Sequence, residues 1–393
     1  MRESSKLLLL FLAISLVILV RVALEPDGYT TPDSNHYMKG AGGLLTTGDL
    51  TYTIGGKTST FTIWPLGYSF SIATVAYLSP FSLLWNSKLV NLLWIALTFL
   101  LLRRLYPENA FWIGLVFCMH SILDIFSFTW SEPGFMVIML WYSVALHHFL
   151  FKPDQRTEWA FHLVFAIIGA FLYRYFGAYL LGVLSLFGVY FLWKRKWKEV
   201  GLLIGVAAGV VGFILSYFWF VQQHTGYYSG TTRIPADESF LYLLQNLAQT
   251  QLNEFLLIRK LPFHQVDYLA ILFLVLQLGV LLLVVQRIRK STSWKETLAP
   301  KALDSLPLTI AFVGGTYWLT MVVLRFFMKF DMFDFRLITP ATFLFLVAGH
   351  AYLAATHRRL LLQKIQKPIV FLYFVALAHG LYKKQLLLLF LNG

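Results

Sequence analysis

Apolar runs of roughly membrane-spanning length recur along the chain, each bounded by a charge cluster or by Gly and Pro. They fall at 6–24, 86–102, 110–128, 133–151, 158–173, 176–193, 199–221, 267–286, 305–328, 339–356 and 368–389. A spanning helix takes about 20 residues, so the pattern predicts an all-α polytopic membrane protein: one transmembrane domain over residues 1–393 with about 11 transmembrane helices. The segment 1–23 has the basic flank and apolar run of a signal peptide, but it lacks a clean small-x-small cleavage site and is followed by further spans, so it reads as an uncleaved first helix.

The stretch 65–80 is apolar but short, and prolines bound it. Charge decides its place. If it does not span, Arg103/Arg104, Lys152/Arg156 and the basic clusters within 194–198, 287–301 and 358–367 fall on the same side as Arg2 and Lys6. That side then holds 19 of the 32 basic residues. The positive-inside rule makes it cytoplasmic, with the N-terminus. Two long loops, 25–85 and 222–266, face the other side, and the first is expected to be helical in part, with 65–80 lying at or dipping into the outer membrane face.

Composition sharpens this picture. Of 393 residues 58% are apolar and 13% charged, with a mean hydropathy of +0.67, whereas a soluble domain carries about twice that charge. The spans leave on the order of 170 residues for loops and tails, too few for a separate soluble catalytic domain. A net charge of +13 would suggest nucleic acid in a soluble protein; here cytoplasmic Lys and Arg account for it. Cys118 is the only cysteine, which excludes an intrachain disulfide and a thiolate metal cluster. The chain shows no internal repeat and no glycine-rich phosphate loop.

Chemistry is therefore sought at the outer face. The first loop carries Glu25, Asp27, Asp33, His36, Tyr37 and Asp49, then Trp64-Pro65-Leu66-Gly67-Tyr68. Asp33 and Tyr37 share a face of a short helix. Asp33 is either a base at the interface or a negative charge stabilising that helix's N-terminus. Glu132, in Ser131-Glu132-Pro133, is either a second carboxylate or the start of the fourth span. Arg174, Arg325, Lys329 and Arg336 sit at outer span ends against the positive-inside bias, where they either meet a lipid phosphate or snorkel, Lys329 and Arg336 having Asp331 and Asp334 as nearby partners; Arg233, Arg259 and Lys260 are weaker candidates. Asp124 lies inside a span, where an ionisable group is functional or paired, here with His120 four residues earlier. His147, His148 and His162 fall at cytoplasmic span ends and read as interfacial. Tyr52, Trp64, Tyr227 and Tyr228 can stack on sugar rings or form an interfacial belt. Residues 240–255 fit a surface helix. Asp27, Asp33, His36, Asp49 and Glu132 are hard enough ligands for Mg or Mn, but no spacing forms a metal motif, and none is assigned.

An Asp just after the first span, an aromatic residue four positions on, a small-residue helix and Trp64-Pro65-Leu66-Gly67-Tyr68 resemble the GT-C membrane glycosyltransferases, in particular their protein O-mannosyltransferase, aminoarabinose transferase and rhizobial galacturonosyltransferase branches. Ser131-Glu132-Pro133, Tyr173-Arg174-Tyr175-Phe176-Gly177 and Phe335-Arg336-Leu337-Ile338-Thr339-Pro340 extend the resemblance over most of the chain. It implies a GT-C-like fold and transfer of a sugar from a polyprenyl-phosphate donor to a glycan, lipid or protein acceptor, with no cofactor unless a divalent metal, at the outer face of a bacterial inner or plasma membrane. Asp33 and Glu132 would be the catalytic carboxylates. Arg336, Arg174, Tyr37, His36, Trp64, Tyr68, Arg325 and Lys329 would line the substrate sites. Two other readings stand beside it: a transporter or flippase of a lipid-linked or anionic substrate, against which speak the missing repeats and the absence of a midplane charge cluster, and a non-catalytic subunit of the same architecture.

Overall fold

The computed structural model describes residues 2–49, 51–54, 57–61, 63–226, 234–235, 237–262, 265–290, 305–330, 332–355 and 358–381. Fifteen α-helices run through them: α1 (Glu3–Leu24), α2 (Pro32–Thr46), α3 (Gly67–Leu78), α4 (Leu83–Leu105), α5 (Ala110–Gly114), α6 (His120–Ser127), α7 (Glu132–Phe151), α8 (Arg156–Tyr173), α9 (Tyr179–Trp193), α10 (Trp197–Thr225), α11 (Phe240–Glu254), α12 (Tyr268–Arg289), α13 (Ser305–Phe327), α14 (Phe335–Leu353) and α15 (Arg359–Gly380). Two short antiparallel pairs accompany them, β1 (Thr51–Ile54) with β2 (Lys57–Thr60), and β3 (Ile234–Pro235) with β4 (Met328–Lys329).

Among the described residues, nine helical segments are long and apolar enough to cross a membrane: α1, α4, α7, the stretch Tyr175–Trp193 containing α9, α10, α12, α13, α14 and α15. Ala110–Cys118 and His120–Ser127 meet at 73° and pass the same test only as a pair, as a broken span or a re-entrant turn. The run expected at 158–173 is α8, made more polar by Arg156, Glu158 and His162 in its first half. Ion pairs hold both its ends, Arg156 with Glu199 at 2.6 Å and Arg174 with Glu132. Among the described residues each of the eleven apolar runs contains helix, and nine helices, or ten with the bent pair counted as one span, are long and apolar enough to cross a membrane.

Contacts separate the two ends of the bundle. At one, Arg103 donates to Ser4 at 3.1 Å, Phe111 N–H to Glu3 at 2.8 Å, and Arg287 to the Lys364 carbonyl at 2.7 Å. That last contact explains a corrected boundary. The final helix begins at Arg359 rather than near 368, because Pro368 lies inside it. A proline has no N–H for the carbonyl four residues back, and Arg287 supplies the missing donor to Lys364. Residues 359–367, expected in a basic loop, are the first turns of α15; 382–389 lie outside the described residues.

The opposite end carries α2, α3, the β1–β2 hairpin and α11. The stretch 65–80 forms α3, whose 12 residues reach about 18 Å, short of a bilayer core, as its length predicts. Where these pieces meet the spans the fit is close. A Cβ on Gly67 would stand 2.5 Å from the Leu172 carbonyl oxygen, and one on Gly134 would run into the Tyr173 ring. The C-terminal turn of α8 is thereby held against α3 and the first turn of α7.

Candidate active site

The site begins with a turn. Gly28 and Tyr29 both take positive φ (57° and 55°), which costs a non-glycine residue energy and persists only where the surroundings hold it. Tyr29 is held from three sides: Arg21 donates to its hydroxyl at 2.9 and 3.1 Å, and its carbonyl accepts from Thr129 N–H at 3.2 Å and from the Lys88 ammonium at 3.4 Å. The chain then enters α2 through a reciprocal cap. Ser34 N–H donates to the Thr31 hydroxyl, Thr31 N–H donates to the Ser34 hydroxyl at 3.0 Å, and Pro32 fills the first helical position. Asp33, in the first turn, does not serve as the cap; its side chain is turned to an ion pair.

That ion pair assembles the four strongest sequence candidates. Arg336, near the start of α14, donates to Asp33 at 2.6 Å and also to Glu132. Arg174, after α8, donates to the same Glu132 oxygen at 2.5 Å. Glu132 is fully buried and Asp33 one-quarter exposed. Two guanidiniums and two carboxylates, drawn from four separate segments, form a balanced tetrad, and the buried carboxylate has two cations to offset its lost hydration. Arg336 also lies over the Trp130 ring, 4.7 Å from its centroid.

Tyr37 is buried behind the tetrad and donates to the Ser131 hydroxyl at 3.1 Å; burial, reinforced by the Glu132 charge, pushes its phenol pKa up. His36 stacks on Trp64 with centroids 4.6 Å apart, and its partial burial lowers its pKa, against the raising effect of Asp33. Tyr68 is buried and donates to Asn91 at 3.1 Å. Arg325 and Lys329 lie apart from the tetrad: Arg325 pairs with Glu238 at 2.7 Å and Lys329 with Asp237 at 2.7 Å, fastening the second long loop to the end of α13. Asp334 caps α14 at Leu337 N–H (3.2 Å), and Asp331 lies outside the described residues. Asp124 pairs with Arg21 rather than with His120. Tyr227, Tyr228, Arg233 and the Tyr52 side chain lie outside what is described.

A cavity of about 460 Å³ opens on the tetrad. Its lining combines polar groups, Asp33, Arg174 and Arg336 with Tyr37, Ser131 and Trp64, and apolar ones, Phe176, Met321, Leu324, Met328 and Phe330. Glu132, His36, Tyr68, Arg325 and Lys329 do not line it. Among the described residues no group of three His, Cys, Asp or Glu is placed to hold a metal ion; Asp33 and Glu132 are joined through the Arg336 guanidinium instead.

Sequence reasoning missed what fixes Glu132 in place. α4 carries a buried polar stripe, Ser87, Lys88 and Asn91. Lys88 donates to the Ser127 carbonyl at 2.8 Å and the Thr129 hydroxyl at 2.7 Å, Asn91 to the Phe126 and Phe128 carbonyls at 3.1 and 2.8 Å, and Ser87 meets Thr129 at 2.8 Å. These bonds satisfy the backbone between α6 and α7 and so set the start of α7. The available signal was a lysine inside an apolar run, where ionisable groups are rare and functional.

Neither a family model nor any curated protein matches the chain. Two solved structures are similar along most of it. They are ArnT from Cupriavidus metallidurans in the apo state (15% identity, TM-score 0.44) and the same protein bound to undecaprenyl phosphate (16%, TM-score 0.42), each match covering 92% of this chain and 78% of the other.

Proposed function

We propose that the protein is a membrane glycosyltransferase that moves a sugar from a polyprenyl-phosphate donor to an acceptor hydroxyl, with the reaction at the tetrad and at the face opposite the basic loops. One observation carries the reading: two guanidiniums and a carboxylate line one cavity together with a set of apolar side chains. Such a space suits a ligand with an anionic head and a hydrocarbon tail.

The chemistry follows from the charges. The bond between the sugar C1 and the phosphate oxygen breaks, a bond from C1 to the acceptor oxygen forms, and the acceptor proton passes to Asp33. The leaving polyprenyl phosphate gains charge as it departs, and a guanidinium fork stabilises it there. A low-pKa phosphate needs no strong general acid, so one base on the acceptor side suffices. Between the two carboxylates, Asp33 fits the base: it lines the cavity and is partly exposed. Glu132 is enclosed by two arginines and fits the role of anchor, holding Arg174 and Arg336 for the phosphate. Phosphate arriving at Arg336 competes with Asp33 and releases it to the acceptor.

Polyprenyl phosphate binding, followed by native mass spectrometry on the purified protein, tests the cradle. The wild type binds, Arg336→Ala and Arg174→Ala weaken binding by about tenfold or more, and polyprenol without phosphate competes poorly. Equal binding by the variants, or equal competition by polyprenol, overturns the reading.

A further inference from the structure

Helix α11, expected from its sequence on the surface, is sunk among the spans. Two sets of contacts gauge its depth. At its start Phe240 stacks on Phe326, at the outer end of α13, and near its end Gln251 accepts from the Trp318 indole at 2.9 Å. Trp318 lies eight residues before Phe326, so α11 descends about 12 Å along α13. Past its end, Phe255 and Leu257 both meet Gln277 of α12, nine residues and about 14 Å inward from Tyr268, where that span begins. The Leu257 carbonyl also accepts from His120 N–H at 3.0 Å, at the break between Ala110–Cys118 and α6. The chain is back at the outer end by Asp267, which caps α12 at Ala270 N–H (3.0 Å). A bilayer core is about 30 Å thick, so the turn after α11 reaches nearly half that depth.

Non-helical backbone at membrane depth needs partners from the protein or from a polar cavity, and this turn has both. Gln277, a polar residue within an apolar span, accepts from Leu257 N–H at 2.8 Å and donates to the Phe255 carbonyl at 2.7 Å. Asn253 accepts from Leu261 N–H at 2.8 Å and donates to the Leu261 carbonyl at 3.3 Å. Residues 258–262 line a second cavity, of about 460 Å³. The faces of α11 sort accordingly. Leu243, Leu247, Thr250 and Glu254 are buried toward α13 and α14, Thr250 donating to the Phe333 carbonyl at 2.7 Å and Glu254 accepting from Thr339 at 3.1 Å. Gln249 and Asn253 line the cavity. Leu241, Leu244, Ala248, Leu252 and Phe255 are exposed, and helical spacing puts them within an arc of about 80°.

We infer that α11 is a re-entrant helix seated in the outer leaflet, and that acyl chains of that leaflet cover Leu241, Leu244, Leu252 and Phe255. In water an apolar stripe about four turns long would invite association; at this depth it meets hydrocarbon. Between the same depth marks the neighbouring spans also leave apolar side chains exposed, Leu272 and Val275 on α12 and Leu319 and Val323 on α13. The stripe continues a lipid-facing surface that the spans already present. The inference stands apart from the transferase reading, since it uses no residue of the tetrad and its test involves no substrate.

The test places nitroxide labels on single introduced cysteines of the full chain in phosphatidylcholine vesicles. Collisions are read with oxygen, which partitions into lipid, and with a nickel chelate, which stays in water. Cys118 is buried, and the unsubstituted chain serves as the labelling blank. Val275→Cys on α12 marks lipid and Asp49→Cys marks water. The expected oxygen-to-nickel ratio at Leu252→Cys is within about twofold of Val275→Cys and at least about fivefold above Asp49→Cys. Leu244→Cys, nearer the outer end, should fall between the two standards. Phe255→Cys repeats the reading at the bottom of the helix should Leu252→Cys fail to fold. A nickel-dominated ratio along the stripe makes α11 a lid in water, and low access to both reagents puts a soluble partner or a second copy of the chain over it; either result overturns the inference.

Discussion

Arg336 bridges Asp33 and Glu132, residues 303 and 204 positions away in sequence. The two carboxylates differ in what they have lost to folding. Glu132 is cut off from solvent and depends on its two arginines, whereas Asp33 keeps contact with the cavity.

Their substitutions therefore separate. Glu132→Gln leaves Arg174 and Arg336 short of their shared counter-ion, and removing one partner of a buried pair costs about 3–5 kcal/mol. Asp33→Asn gives up a partly exposed pair worth about 1 kcal/mol or less. Thermal unfolding in one detergent should show a large fall in Tm for Glu132→Gln and a small one for Asp33→Asn. Equal falls would contradict the division of roles.

Lys88 supports the site without facing the cavity. Lys88→Met keeps the length of the side chain but leaves the Ser127 and Tyr29 carbonyls and the Thr129 hydroxyl short of a donor. At about 1–3 kcal/mol for an unsatisfied buried group, the variant should lose roughly 2–4 kcal/mol and, through the displaced start of α7, most of its polyprenyl phosphate affinity. A variant as stable as wild type would show that the stripe in α4 does not fix the turn.

Glu254, the last residue of α11, is buried with Ser121 donating to it at 3.4 Å and Thr339 at 3.1 Å, and its Oε1 is unpartnered. Burial pushes its pKa up to about 7 from an ordinary 4.5, the hydrogen bonds from Thr342, Thr339 and Ser121 and the Lys260 charge pulling the other way. With the folded value above the unfolded one, its contribution to stability is complete below pH 4.5 and is lost as pH rises toward 7. The fall in Tm across that window should flatten in Glu254→Gln. An unchanged slope would assign the pH dependence to other groups.

Because Arg174 and Arg336 supply positive charge where the phosphate would depart, donor turnover should persist in EDTA at close to its untreated rate. Loss on chelation, with recovery on adding Mg or Mn, would place a divalent ion in the reaction.

Much of this was legible in the chain. Apolar runs mark the crossings because each spanning helix must be apolar over its own length, a local property. Asp33, Glu132, Arg174 and Arg336 stand out because charge at a span end is costly unless used. Partners were harder. Asp124 and His120 share a helix face, and Lys329, Asp331, Asp334 and Arg336 are near neighbours in sequence, but the partners actually taken, Arg21, Asp237 and Asp33, come from distant segments that only packing brings together. The β1–β2 hairpin had its own signal, two Thr-rich strands around a Gly-Gly pair, obscured by the helical reading of the loop. The polar stripe of α4 was hidden inside an apolar run, and the break at Met119 divides a run that reads as one helix.

The most direct measurement is turnover of a panel of polyprenyl-phosphate sugars, read by mass spectrometry, for wild type, Asp33→Asn and the control Asp49→Asn. Transfer or slow hydrolysis of one donor by wild type and Asp49→Asn, reduced about 10²–10⁴-fold in Asp33→Asn while that variant still binds polyprenyl phosphate, is the predicted result. Undiminished turnover in Asp33→Asn would contradict its role as the base.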